Sequence, residues 1–168
     1  MKKIAAVMIL LFSLTSFSQT TTTFIVLRHA EKADTTKDTN LSTEGLIRAD
    51  ALRETLQSVY VNAIYSTPYN RTKQTVTPLA SEKKIAITEY PANKPYAELV
   101  NELIAAHHGQ TVVIVGHSNT VPEILKVLTK NAYNVTINEN QFDNIFVVIL
   151  KEGKPAEVTT MKYGKSTP

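Results

Sequence analysis

The sequence predicts an α/β protein of three layers, in which helices cover both faces of a largely parallel central sheet. Two short apolar runs, 24–27 and 112–115, are rich in β-branched residues, as is typical of central strands that are buried on both faces. Segments with helical spacing of apolar residues separate the candidate strands, so strand and helix alternate along the chain. After residue 131 the pattern changes to two extended segments joined by a turn, which predict a β-hairpin at the sheet edge.

Four strands are expected to form the parallel part of the sheet. Besides the two long apolar runs, the segments 63–65 and 85–87 are shorter candidates, and enough chain for a crossover separates each strand from the next. The hairpin is predicted to comprise strands at 144–150 and 156–161, with its turn at 152–154.

The first two helices follow the first two strands of this pattern. The first is predicted to begin at Thr43 with Ser42 as its N-cap, and small or apolar positions at helical spacing continue to Val59. A cap is preferred to a nucleophile as the role of Ser42, because no histidine or acid lies at an informative spacing around it. The second helix is predicted to begin near Asn70, and Pro78 is expected to kink or stop it.

Two more helices complete the predicted pattern. Pro95 is expected to open the third helix, and Gly109 is expected to end it. The fourth helix is predicted to cover about 121–128. The polar residues 164–168 are expected to form a frayed tail.

The N-terminal residues have the pattern of a secretory signal peptide. Two lysines precede an apolar run, 4–17, that is too short to span a bilayer comfortably, and Ser16 and Ser18 supply the small residues that a signal peptidase reads. We therefore expect a signal peptide at 1–18 and one domain at 19–168, exported to the periplasm or secreted, with no stable membrane association after cleavage. An uncleaved membrane anchor is the alternative.

Composition excludes several classes of function. The formal net charge of +3 includes the two lysines of the expected signal peptide, so nucleic-acid binding has no compositional support in the remaining domain. The chain contains no cysteine, which excludes a disulfide framework, thiol catalysis and cysteine-ligated zinc. Nothing in the composition indicates an oligomeric state.

Both long strand candidates end in a polar group that contains a histidine. Arg28 and His29 come at the end of the first run, and His117 follows the second. Arg71 is predicted to lie in the first turn of the second helix. Because ligands bind at the carboxyl ends of the strands in an open parallel sheet, we expect these four side chains to meet at one rim.

Two arginines and two histidines suit phosphoryl transfer. Guanidinium groups bind phosphate through fixed, paired donors, so Arg28 and Arg71 would hold the equatorial oxygens as charge redistributes. An imidazole is a competent nucleophile near neutral pH when its other nitrogen is oriented by a hydrogen bond, commonly to a backbone carbonyl. His29 would then form a phosphohistidine that water hydrolyses.

Four ordered blocks of residues between 24 and 120 resemble the histidine phosphatase superfamily, the phosphoglycerate mutase-like proteins. Leu-Arg-His-Ala-Glu at 27–31 resembles the Arg-His-Gly signature of the family, and Leu-Ser-Thr-Glu-Gly at 41–45 resembles its segment leading into the first helix. Residues 66–75 resemble its Ser-x-x-x-Arg-Thr-x-Gln-Thr block, and Gly-His-Ser at 116–118 resembles its second-histidine turn. Together the blocks are specific, whereas a lone Arg-His pair would carry almost no information.

The resemblance implies a phosphatase that needs no cofactor. His29 becomes the phosphorylated nucleophile, and the phosphate clamp consists of Arg28, Arg71 and His117. The substrate would be a small phosphomonoester or a related phosphoryl compound. Neither a metal nor an organic cofactor would be required.

The region after the third strand departs from the larger family members, which carry a glutamate-rich segment there that supplies the general acid. Here it is the brief segment 88–93, so compact phosphatases such as the phosphohistidine phosphatase SixA group are the closer comparison. Glu89 is the candidate acid, and a solvated surface carboxylate is the alternative interpretation of this residue. Ala30 stands where the better-known members often have glycine.

Three other functions are weighed against a phosphatase. A catalytically weak phospholigand-binding module would keep the clamp but lack an effective acid, and turnover of an activated ester would distinguish it from an enzyme. A phosphoglycerate mutase-type phosphotransferase would need more of the lid that the short segment removes. A metal site is disfavoured, because arginines beside the histidines would repel a divalent cation and the sequence has no His-x-x-x-His pattern.

Overall fold

The computed structural model of the protein describes residues 20–168, so the predicted signal peptide at 1–18 lies outside the described residues. None of the helices between residues 20 and 168 has the length and apolar character needed to cross a membrane. The elements are, in chain order, β1 (Thr21–Arg28), α1 (Thr43–Thr55), β2 (Ala63–Ser66), α2 (Asn70–Lys83), β3 (Ile87–Glu89), α3 (Tyr96–Ala106), β4 (Thr111–Gly116), α4 (Thr120–Leu128), β5 (Asn144–Lys151) and β6 (Glu157–Lys162).

The six strands form one sheet in the order β3-β2-β4-β1-β5-β6. The first four of these are parallel to one another, β5 is antiparallel to β1, and β6 is antiparallel to β5. The expected α/β class, the largely parallel sheet and the hairpin at its edge are therefore confirmed.

Helices pack on both faces of the sheet because side chains along each strand alternate between the faces. On β1, Phe24 and Val26 belong to a core that contains residues of α3 and α4. Ile25 and Leu27 belong to a second core that contains residues of α1 and α2. All four side chains are almost completely buried, which explains why the run is apolar without a break.

The first helix begins where the sequence predicts it. The Ser42 hydroxyl oxygen accepts a hydrogen bond from the Gly45 N–H at 3.1 Å, so Ser42 is the N-cap of α1. The helix ends at Thr55, however, and does not reach Val59. Val59 is partly buried against the core from the turn that follows, so its apolar character reflects packing and not helix.

From the sequence, Pro78 is expected to kink or stop the second helix. It does not stop the helix, because α2 continues to Lys83. Proline removes the hydrogen bond to the carbonyl four residues earlier, but burial of neighbouring residues compensates for that loss. Leu79 and Ala80 directly after it belong to the core under this face of the sheet. Lys84 in the left-handed conformation then ends the helix.

The third strand lies two residues later than the segment 85–87 predicts. The Ile85 N–H donates to the Ala80 carbonyl at 3.0 Å, so Ile85 belongs to the turn that closes α2. Pairing with β2 starts at Ile87, which lies opposite Ile64. The other two predicted helices agree closely with the structure, because α3 begins directly after Pro95 and α4 is one residue longer than 121–128.

The C-terminal residues are anchored, so the expectation of a frayed tail at 164–168 is wrong. The Thr167 hydroxyl donates to the fully buried carboxylate of Asp143 at 2.7 Å, and the Thr167 N–H donates to the same carboxylate at 3.1 Å. Burial would raise the pKa of Asp143, but hydrogen bonds from Lys162 and Thr167 lower it to about 2. Arg48 also binds the carbonyl of Lys165 at 2.8 Å. Partners on α1 and before β5 therefore hold the tail in place.

Candidate active site

One pocket of about 300 Å³ lies at the carboxyl ends of β1 and β4, where the sequence places the site. It contains all four predicted clamp and nucleophile residues, together with Lys32, Tyr69, Ala92, Ser118, Asn119, Thr120 and Glu139. Lys32 also lines a larger, mostly apolar cavity of about 870 Å³ between the 31–35 loop, α1 and the C-terminal tail, and neither predicted histidine lines that cavity. The convergent polar chemistry therefore belongs to the smaller pocket.

Parallel pairing of β1 with β4 brings the two histidines together. Arg28 lies opposite Gly116 in the strand register, and the His29 N–H donates to the Gly116 carbonyl at 3.0 Å. The residue that follows each strand end is a histidine, so the rings of His29 and His117 lie edge to face with centroids 5.4 Å apart.

The His29 ring is buried and held in one orientation. Its Nδ1 lies 2.7 Å from the Ala30 carbonyl oxygen, which can only accept, so Nδ1 carries the ring proton. The lone pair of the neutral ring is then on Nε2. Burial, followed by the positive charge of Arg28, lowers the pKa of His29 to about 3 despite the bond to Ala30. At neutral pH the His29 ring is therefore neutral, with its proton on Nδ1 and an unprotonated Nε2 that can act as the nucleophile.

Arg28 is held by four neighbouring residues beneath the pocket. Its Nη1 donates to the carbonyl oxygens of Asn138 at 2.8 Å and Gln141 at 3.1 Å, and its Nη2 donates to Glu139 Oε2 at 2.8 Å. The guanidinium carbon lies 4.2 Å from the centre of the Phe142 ring. Among residues 20–168 the buried Nε has no hydrogen-bond partner.

Arg71 enters the pocket from the first turn of α2, as predicted. Its Nη1 donates to the Lys37 carbonyl at 2.9 Å, and its guanidinium carbon lies 4.5 Å from the centre of the Tyr69 ring. Its Nε is a second buried donor that no partner satisfies within the described part of the chain. Two guanidinium groups with a donor to spare are thus oriented around one small space.

A chain of hydroxyl groups determines the tautomer of His117. The Thr72 hydroxyl donates to backbone carbonyls of Thr67 and Tyr69, so the Thr67 hydroxyl donates to Thr72 Oγ1 at 2.9 Å. Thr67 Oγ1 can then only accept from His117 Nε2, which lies 3.0 Å away. His117 Nδ1 is left unprotonated and faces Nη2 of Arg71 at 3.4 Å.

Burial, followed by the positive charges of Arg71 and Arg28, lowers the pKa of His117 to about 4. Both histidines are therefore neutral at pH 7, and the arginines and Lys32 supply the positive charge of the pocket. A bound phosphate dianion would favour the charged form of His117 and so turn its Nδ1 into a further donor.

Residues of the sequence blocks that resemble the family support the turn that carries His29. The Ala30 N–H donates to Thr75 Oγ1 at 2.9 Å, and the Thr75 hydroxyl donates to the Arg71 carbonyl at 2.7 Å. The Leu41 N–H donates to the Gln74 side chain at 2.8 Å. The start of α2 and the turn after β1 are thereby joined, which fixes Arg71 relative to the nucleophile.

Gly45 explains another position of these blocks. A Cβ atom at Gly45 would overlap the backbone carbonyl oxygen of Glu31, so only glycine allows α1 to pack this closely on the turn. The Ser42 N–H donates to the same carbonyl at 2.9 Å. The first turn of α1 is thus packed against the segment that carries His29.

Residues 24–92 match the family model of the histidine phosphatase superfamily, branch 1. The match includes Arg28, His29 and Arg71, and the structure adds His117 to the same pocket. Over these residues the chain is similar to the histidine phosphatase superfamily. The resemblance carried by the sequence blocks is thereby confirmed over residues 24–92. A comparison with curated protein sequences found no significant match.

Three solved structures have folds similar to that of this chain. The protein histidine phosphatase SixA, solved with tungstate, has a TM-score of 0.70 at 18% identity, covering 83% of this chain and 96% of that chain. A mycobacterial glucosyl-3-phosphoglycerate phosphatase has a TM-score of 0.66 at 15% identity, covering 87% of this chain and 100% of that chain. A phosphoserine phosphatase mutant from Entamoeba histolytica, solved with phosphoserine, has a TM-score of 0.60 at 16% identity, covering 84% and 96%. The fold is therefore that of compact, SixA-like members.

Glu89, the acid suggested by the sequence of this histidine phosphatase, does not line the pocket. It ends β3, its side chain is 49% exposed, and its carboxylate binds the Lys73 ammonium group at 2.9 Å. Its role as general acid stays a prediction.

Sequence reasoning missed Glu139, which does line the pocket of the histidine phosphatase. Glu139 lies in a segment without helix or strand between α4 and β5, and no local pattern marks it. Its place becomes visible only from the fold, because its partner Arg28 lies 111 residues earlier in the chain. Within residues 20–168 no group of three or more His, Asp or Glu side chains could hold a metal ion.

Proposed function

We propose that the protein is an exported phosphatase that hydrolyses a small phosphomonoester, or a related phosphoryl compound, through a phosphohistidine on His29. The observation that carries this proposal is the state of the His29 ring. The ring is neutral, and its Nδ1 proton is hydrogen-bonded to the Ala30 carbonyl, which leaves the lone pair on Nε2. His29 lines the same pocket as the two arginines.

The two arginines suit the binding of the transferred phosphoryl group. The unpartnered Nε donors of Arg28 and Arg71 are buried in the described structure, and a phosphate oxygen is the acceptor that each lacks. Arg28 Nη1 donates to two backbone carbonyls, so the guanidinium is already oriented when the substrate arrives. Such preorganised charge stabilises the transition state without reorganisation during the reaction.

The reaction would proceed in two displacements at phosphorus. In the first, a bond forms between His29 Nε2 and phosphorus while the bond from phosphorus to the leaving oxygen breaks. In the second, a water oxygen attacks the phosphohistidine, the bond from phosphorus to Nε2 breaks, and inorganic phosphate leaves. The neutral His29 ring is restored at the end of each turnover, because Nδ1 keeps its proton throughout.

The substrate class follows from the pocket and is supported by relatives. A volume of about 300 Å³ with polar walls suits a phosphoryl group and a small leaving group. Two of the structural relatives are a glucosyl-3-phosphoglycerate phosphatase and a phosphoserine phosphatase, so small phosphomonoesters are substrates of proteins with this fold.

The proposal is tested by rapid-quench mass spectrometry of the purified protein mixed with p-nitrophenyl phosphate at mildly acidic pH. We expect a phosphate adduct on His29 together with continuing release of nitrophenol. Release without an adduct on any histidine would contradict the phosphohistidine. Binding of inorganic phosphate without release would instead favour the phospholigand-binding module.

Export is a separate part of the proposal and needs its own measurement. It rests on the lysines, the short apolar run and the small residues around Ser18. Cells that produce the full chain should release a protein whose N-terminal residue is Gln19 into the periplasmic or culture fraction. Recovery of the uncleaved chain in the membrane fraction would favour the uncleaved anchor.

A further inference from the structure

Glu139 is the one acidic side chain among the residues that line the pocket in the described structure. Its Oε2 accepts from Arg28 Nη2 at 2.8 Å, and its Oε1 accepts from the Ser118 hydroxyl at 2.5 Å. The pocket proposed to hold a phosphate dianion thus already contains an anion on one of its two arginines. This arrangement needs an explanation, because two neighbouring anions repel each other unless a proton lies between them.

The ion pair joins a buried side chain, Arg28, to an exposed one, Glu139. The Arg28 side chain is 3% exposed and bound to two backbone carbonyls besides Glu139, whereas the Glu139 side chain is 77% exposed. A phosphate oxygen that binds Arg28 therefore displaces the carboxylate and not the guanidinium. Ser118 lies beside the second histidine, so Glu139 stays at the pocket after it gives up Arg28.

Arrival of a phosphoryl group changes the charge around Glu139. The hydrogen bond from Ser118 and the charges of Arg28 and Lys32 keep the pKa of Glu139 below its usual range, although burial opposes them. The neutral His117 and the more distant Arg71 face the same space. Loss of the contact with Arg28 and the approach of a dianion both favour the protonated carboxyl, so substrate binding itself converts Glu139 to an acid.

We propose that Glu139 is the general acid and base of this phosphatase. The inference rests on the proposed function and adds to it a catalytic residue from outside the matched family segment, 24–92. It also replaces Glu89 in that role, since Glu89 is bound to Lys73 away from the pocket.

Protons and bonds balance in both steps. As the bond from His29 Nε2 to phosphorus forms, the leaving oxygen takes the proton of the Glu139 carboxyl and departs as a neutral alcohol. Glu139 is then a carboxylate beside the phosphohistidine. It takes a proton from the attacking water as that oxygen bonds to phosphorus, and the product phosphate leaves with His29 neutral.

The test compares Glu139→Gln with the wild-type protein on p-nitrophenyl phosphate and phenyl phosphate. Glutamine keeps the size of the side chain and a hydrogen bond to Ser118 but has no proton to transfer. Nitrophenolate leaves readily without a proton, whereas phenolate needs one. We expect kcat/KM, which reports the first displacement, to fall about 100-fold more for phenyl phosphate than for p-nitrophenyl phosphate.

Two further variants make the result specific. Glu157→Gln removes a carboxylate of the β6 surface that pairs with Lys151, and it should leave both rates unchanged. Glu89→Gln tests the rival acid, and a selective loss on phenyl phosphate in that variant, with none in Glu139→Gln, would overturn the inference.

Other outcomes separate this inference from the proposed function. Equal losses of kcat/KM on both esters in Glu139→Gln would mean that Glu139 only positions Arg28, and unchanged kcat/KM values on both esters would exclude any part of it in the first displacement. Either result would overturn the inference while leaving a working phosphatase. Absence of turnover by the wild-type protein on both esters would overturn the proposed function and the inference together.

Discussion

The Arg48 guanidinium binds both carboxylate oxygens of Glu31, with Nε 2.9 Å from each oxygen and Nη2 2.8 Å from Oε1. Glu31 comes two residues after the nucleophile, and Arg48 lies on α1 with 3% of its side chain exposed. Nη1 of the same guanidinium donates to the Tyr163 carbonyl at 2.9 Å. One side chain therefore ties the nucleophile turn to the C-terminal segment.

Replacement of Arg48 by alanine should destabilise the protein strongly. The change leaves the Glu31 carboxylate and two backbone carbonyls without their donor, which costs about 3 kcal/mol or more of the free energy of unfolding. Urea denaturation measures this loss. Arg53→Ala is the matched control on the same helix, because its partners are exposed surface carboxylates and such pairs contribute about 0–1 kcal/mol. Equal effects of the two changes would contradict the role given to Arg48.

Replacement of His29 by alanine should abolish turnover of p-nitrophenyl phosphate and remove the phosphate adduct, because Nε2 is the proposed nucleophile. Circular dichroism should still report a folded protein, since the ring makes its hydrogen bond only to the adjacent Ala30 carbonyl. A His29→Ala variant that retained wild-type turnover would contradict the phosphohistidine mechanism.

Replacement of Arg71 by alanine should weaken inhibition by inorganic phosphate as well as turnover. A charge-assisted hydrogen bond contributes about 1.5–3 kcal/mol, so we expect the inhibition constant to rise about 10-fold or more. Arg53→Ala again serves as the control, because Arg53 lies outside the residues that line the pocket. Unchanged inhibition in the Arg71 variant would argue against its place in the clamp.

The stability of the protein should fall as the pH drops below about 6.5, before most carboxylates titrate. The pKa of His29 is about 3 in the folded protein and near 6.5 in the unfolded chain, so only the unfolded chain takes up a proton between these values. Protons therefore favour unfolding across this window, and the stabilisation is complete above pH 6.5. From pH 7 to pH 5 we expect a loss of about 2 kcal/mol from His29 and a nearly equal loss from His117, whose pKa in the folded protein is about 4.

Urea denaturation at pH 7, 6 and 5 measures this slope. His29→Gln removes one of the two buried groups and should reduce the dependence by about half, whereas His108→Gln changes an exposed histidine and should keep the wild-type slope. A slope that is the same in all three proteins would show that the buried rings are not its origin.

Local signals explain what could be predicted from the sequence. His29 and His117 each follow a buried parallel strand, and a strand end of this kind is recognisable from a short apolar run alone. Arg71 could be found because it begins a helix after another such strand. The family blocks then connected these places, so nucleophile and clamp were predicted together.

The residues that were missed depend on contacts between distant segments. Glu139 reaches the pocket only because Arg28 binds two carbonyls of its loop, and no periodicity marks a loop of that kind. The C-terminal tail looked mobile because its residues are polar, but buried Asp143 is the partner of Thr167. The continuation of α2 past Pro78 likewise reflects packing on the sheet, which local propensity does not report.

The position of β1 between β4 and β5 also determines the order in which the molecule can fold. Val26 lies opposite Ile114 on one side and Phe146 on the other, so both neighbours of the central strand come from far along the chain. A protein made from its N-terminus has no partner for this strand until most of the chain exists, and such non-local pairing slows folding. His29 is therefore synthesised early, yet its surroundings become complete only after the ribosome has passed residue 151.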